Sequence, residues 1–184
     1  MTNYVYDPWV YEEINRCIRG LFTSGISLRR ATLNEDFGGV DVHYVVDHNT
    51  PLALRCRFNR PAGAADCDIT FRETEPPMIK ARTYAPLAVF FWFVDHHIIS
   101  GKCIDIYQMA DKLVPAFEDR PVCPNRDGGP GFYSVPISEL HQARAYLKNF
   151  DGTVWGTEIL GGEQRMTRIL ARYRQKREAA CPTL

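Results

Sequence analysis

Residues 34–72 read NEDFGGVDVHYVVDHNTPLALRCRFNRPAGAADCDITFR and hold three candidate strands: Val40–Asp47, Leu52–Asn59 and Cys67–Arg72. The first alternates, with Val42, Tyr44 and Val46 on one face and Asp41, His43 and Val45 on the other. Asn49, Thr50 and Pro51 supply turn chemistry. In the second strand Leu52, Leu54, Cys56 and Phe58 share one face, and Ala53, Arg55 and Arg57 share the other. Antiparallel pairing of these two strands places an acid, Asp41, and two guanidiniums on neighbouring strands near one end of a sheet. The loop Arg60–Asp66 is rich in Pro, Gly and Ala and leads to the third strand.

Upstream, Asp7-Pro8 reads as a helix start, with Pro8 at the first helical position. Val10, Ile14, Cys17, Ile18 and Leu21 recur at helical spacing, and Glu13 sits at the edge of that apolar stripe. Glu35 and Asp36 precede the Gly38-Gly39 pair. Downstream, Pro76-Pro77 opens a second helical segment carrying Lys80 and Arg82. Leu87–Val94 (LAVFFWFV) is apolar without alternation, as expected of a central strand buried on both faces. Lys102–Tyr107 reads as a further strand and Met109–Phe117 as a short helix. Phe132–Ile137 is strand-like, and Pro136 places it at an edge. Ser138 opens a helix through about Leu147, and residues 149–162 read as a loop.

The clearest helix is Glu163–Ala179. Met166, Ile169, Leu170 and Tyr173 form its apolar stripe, and Arg165, Arg168, Arg172, Arg174, Lys176 and Arg177 make it strongly basic. Such a helix suits phosphate, an acidic protein or a membrane surface. The stripe predicts docking with the arginines left outside.

The order helix, three strands, helix, strand, strand resembles the core of the PD-(D/E)xK nuclease superfamily, the restriction-endonuclease-like fold. In that family an Asp lies on one strand of a hairpin and Glu-x-Lys on the next. Asp41 matches the Asp, and Arg55-Cys56-Arg57 falls where Glu-x-Lys belongs. The second acid is therefore replaced by Arg55 and the lysine by Arg57. A guanidinium neutralises charge but does not ligate a metal. The resemblance implies an α/β fold with a mixed central sheet flanked by helices. It also implies a Mg²⁺ site at Asp41, completed by Glu13 or by Asp36 or Glu35, with Arg57 as the cation on the phosphate. Lys80, Arg82, Arg165, Arg168 and Arg172 are then the expected contacts to nucleic acid.

Composition bounds these readings. The 184 residues suit one domain, 45% hydrophobic and 12% aromatic, as expected of a packed core. Formal net charge is zero, so any cationic surface is local. The six cysteines make no zinc spacing and read as reduced thiols of a cytoplasmic protein. The N-terminus shows no signal peptide, and the longest apolar run, Ala85–Val94, is too short to span a bilayer. Three functions follow: a metal-dependent nuclease, a nuclease-fold protein that binds nucleic acid or a protein without cutting, and a small α/β interaction module docking through its basic helix.

Overall fold

The computed structural model of the protein describes residues 7–21, 27–32, 42–45, 50–58, 68–72, 85–113, 119–124, 128, 131–157 and 162–180. In chain order the elements are α1 (Pro8–Ile18), β1 (Ser27–Arg30), β2 (Val42–Val45), β3 (Thr50–Phe58), β4 (Asp68–Arg72), β5 (Leu87–Val94), β6 (His97–Asp105), α2 (Ile106–Lys112), β7 (Phe132–Pro136), α3 (Ile137–Gln142), β8 (Tyr146–Phe150), β9 (Trp155–Thr157) and α4 (Gly162–Ala180). This is an α/β fold with a mixed sheet of seven strands in the order β1-β2-β3-β5-β6-β8-β9. Every neighbouring pair is antiparallel except β3 with β5.

The expected antiparallel hairpin is present, but Thr50 and Pro51, read as turn residues, belong to β3: Val42 is opposite Leu52, His43 opposite Pro51 and Tyr44 opposite Thr50. The third sequence-predicted strand behaves differently. β4 leaves the main sheet and pairs antiparallel with β7 in a two-stranded sheet. The reason is topological: β5 runs parallel to β3, and a parallel neighbour requires a long crossover. β4 lies within that crossover. The outer strand beside the hairpin is instead β1, whose Ser-Leu-Arg-Arg carries a single apolar residue and so shows no strand alternation in the sequence.

β5 is central, as its unbroken apolar run predicts. Leu87, Val89, Phe91 and Phe93 face one cluster with α1 and α4; Ala88, Phe90 and Trp92 face the other with α2 and α3. On the first side α1 buries Val10, Ile14, Cys17 and Ile18, the stripe read from its spacing. Gly101 of β6 makes room for the Phe91 ring, because a Cβ there would lie 2.9 Å from Phe91 Cδ1.

Three boundaries shift from their sequence reading. The strand read at Lys102–Tyr107 starts at His97 and stops at Asp105, whose carboxylate accepts the Gln108 N–H at 3.1 Å and caps α2. The helix read through Leu147 ends at Gln142, and the chain turns into β8. The expected loop at 149–162 contains a hairpin. Asp151 accepts from the Thr153 and Val154 amides, Gly152 takes φ +92°, and β9 returns along β8. Trp155 then donates from its ring nitrogen to the Cys17 carbonyl at 2.9 Å, tying β9 to the end of α1. The helical segment expected from Pro76 lies outside the described residues. Among the described residues no helix is long and apolar enough to cross a membrane.

Candidate nucleic-acid interface

β6, α2, α3 and α4 meet around a cavity of about 550 Å³. Its lining includes Asp105 and Tyr107 from the β6–α2 junction, His141 and Arg144 from the end of α3, and Arg165, Arg168 and Arg172 from α4. Helical spacing explains the last three. Residues three and four apart share a face, so positions 165, 168 and 172 form one row beside the docked stripe. That stripe holds: Met166 and Ile169 are buried, and Leu170 and Tyr173 pack against the core.

Four guanidiniums therefore face one lining carboxylate, Asp105. Asp105 is nearly fully buried, and burial pushes its carboxyl above the usual range. Arg165 answers it with Nη2 at 3.5 Å from Oδ2, and the side chain of Arg165 is only 19% exposed. This corrects the expectation that the helix leaves all its arginines outside; a buried acid draws this one inward. Arg172 stands over the Tyr107 ring at 5.2 Å and lies 3.8 Å from Asp111 Oδ2, with both charged side chains half exposed. Lys176 also stands over that ring, at 4.6 Å. Arg144 and Arg168 have no acidic partner among the described residues.

The hairpin residues lie elsewhere. Arg55 and Arg57 on β3 are in register with Phe90 and Trp92 on β5, so they sit on the face that α2 and α3 cover. Lys102 of β6 is opposite Phe90 and extends that row; its ammonium donates to Asn149 Oδ1 at 3.0 Å. Sequence reasoning assigned Lys102 only to a strand. Its place on that face depends on a strand register that no short motif displays.

Glu13 sits on α1, which packs on the opposite face. Its carboxylate takes two bonds from Arg16, at 2.7 and 2.8 Å, and one from the Ile98 N–H at 3.0 Å. These bonds, led by the one from Arg16, hold Glu13 below the usual glutamate range. It clamps α1 to the β5–β6 turn. Asp41, Glu35, Asp36, Lys80 and Arg82 lie outside the described residues. Among the described residues no three His, Cys, Asp or Glu side chains come together as metal ligands. Of the donors implied for Mg²⁺, Glu13 is the one among the described residues; it is committed to its clamp and does not share a face with Arg55 and Arg57.

The clamp carries a pH prediction. A carboxylate with a lowered folded pKa stabilises the fold above the unfolded value, and that contribution is lost as pH falls through the folded one. Glu13→Gln should cost about 1 kcal/mol at neutral pH. It should also reduce the acid-side fall in Tm measured by circular dichroism; a wild-type acid profile in the variant refutes the clamp.

No family model, no curated protein and no solved structure matches the chain.

Proposed function

We propose that this protein binds nucleic acid, gripping backbone phosphates in the arginine-lined cleft beside α4. The observation that carries the reading is the charge imbalance of the cleft: four arginines against a single carboxylate, with Arg144 and Arg168 unpaired among the described residues. Guanidinium is the side chain best matched to phosphate, through planar, paired N–H donors. The overall charge of zero makes such a concentration local rather than a general cationic coat.

The order of the main sheet supports a nuclease-type scaffold for this binding. α1 precedes three antiparallel strands, β1 to β3, and β5 then enters parallel to β3 with β6 beyond it. That matches the resemblance in outline only: the third strand it implies, Cys67–Arg72, pairs with β7 outside the main sheet, and the helix it implies from Pro76 lies outside the described residues. What the cleft's guanidiniums support is binding of phosphate.

The test is fluorescence anisotropy with labelled single-stranded and duplex oligonucleotides across a salt series. Three or four phosphate contacts should give log K falling with log salt at a slope of roughly −2 to −4. A binding constant independent of salt, or saturation only by an acidic protein, overturns the proposal.

A further inference from the structure

The end of α3 is built in an uneconomical way. Ala145 N–H bonds the Leu140 carbonyl at 2.8 Å and Arg144 N–H bonds the His141 carbonyl at 2.9 Å, the pattern of a helix closed by one left-handed residue. Arg144 is that residue, with φ 56°. Glycine usually fills this position, because a Cβ crowds the left-handed backbone. Asp95 is the other non-glycine residue at positive φ among the described residues, and aspartate is a type that tolerates it. Arginine has no such excuse. Backbone strain of this kind persists where the side chain is needed.

The lining of the cleft points to what needs it. The Arg144 side chain lines the cleft that Arg168 lines from α4, and neither has an acidic partner among the described residues.

We propose that Arg144 is a phosphate ligand of the cleft, kept in the left-handed conformation at the expense of the fold so that its guanidinium joins Arg168 around one phosphoryl group. This rests on the binding site proposed above and names the residue that gives it its grip. It also predicts that stability and binding separate in opposite directions at one position.

The experiment compares wild type with Arg144→Gly and Arg144→Asn. Pyrophosphate binding is measured by calorimetry, oligonucleotide binding by anisotropy and Tm by circular dichroism. Arg144→Gly should raise Tm by roughly 1–3 °C. Both variants should weaken pyrophosphate and oligonucleotide binding about tenfold or more, as expected for a lost charge-assisted pair. Unchanged affinities in variants of a wild type that binds overturn the role of Arg144 and leave the nucleic-acid reading intact. Wild type that binds pyrophosphate through Arg144 but no oligonucleotide overturns the nucleic-acid reading alone, and binding of neither overturns both. A fall in Tm for Arg144→Gly overturns the argument from backbone cost.

Discussion

Replacing Phe91 by alanine is expected to remove about 3–5 kcal/mol of folding stability, roughly a fifth or more of what a domain of this kind has to lose. Phe91 is fully buried in the middle of β5, the strand on which both faces of the core are built. It sits in register with Cys56 on β3 and Gly101 on β6, and the Trp155 ring packs on it at 6.0 Å between centroids. Alanine leaves a cavity that these neighbours cannot close, since strand pairing fixes their backbones. Urea denaturation should show the loss as a lower midpoint with little change in slope. Gly101 sharpens the test. Gly101→Ala drives its Cβ against the Phe91 ring and should destabilise on its own, but the two changes together should cost less than their sum. Val154 is 66% exposed, so Val154→Ala should change the midpoint little. A loss below about 1 kcal/mol for Phe91→Ala removes β5 from the centre of the core.

The strand and helix signals that could be read were those in which a segment's own pattern decides its fate. The unbroken run at Leu87–Val94 can satisfy both of its faces only at the centre of a sheet, and it does so. The alternation around Asn49–Pro51 fixes an antiparallel hairpin because a short turn allows no other pairing. Pairing over long distances left no such mark. Nothing in Asp68–Arg72 says that its partner is Phe132–Pro136 rather than β3, because its alternating sequence suits either pairing. β9 is three residues long and is held by the turn at Asp151–Thr153 and by Trp155, features of a loop rather than of a strand pattern.

The site follows the same division. The arginine row of α4 was legible from helical spacing alone, but its partner across the cleft was not, and one cause explains both that miss and a misplaced boundary. Helix ends are recognised by glycine, and α3 closes on Arg144 instead. Reading on through Ala143, Arg144 and Ala145 extends the helix to Leu147 and hides the residue that the cleft uses. Asp105 is hidden differently. It looks like one more strand residue until α2 starts behind it and its carboxylate becomes both a helix cap and the buried acid facing Arg165. The hairpin residues Arg55 and Arg57 were legible as a same-face pair, yet the face they occupy depends on which helices cover it, and that is set by elements far along the chain.

Reversing Arg168 and Arg172 together to glutamate should weaken oligonucleotide binding by about 100-fold or more at low salt and flatten its salt slope by roughly 2. The pair is chosen on structural grounds. Arg165 is the third basic residue of the row, but its guanidinium faces the buried Asp105, so a glutamate there sets two carboxylates together and threatens the fold before it tests binding. Arg168 is exposed and has no acidic partner among the described residues. Arg172 is half exposed; its bridge to Asp111 is a surface pair worth about 0–1 kcal/mol, and its stacking over Tyr107 adds about as much. Both substitutions should therefore leave the protein folded, with Tm lower by a few degrees at most, roughly. The binding loss has a different origin. Each removed cation returns one condensed counterion to the nucleic acid, and each new carboxylate repels a phosphate across a cavity walled by low-dielectric protein. Arg168→Gln alone, which removes charge without reversing it, should shift the slope by about 1 and fall between wild type and the double variant. A folded double variant that binds with wild-type affinity and wild-type salt slope takes α4 out of the interface and the cleft out of the function.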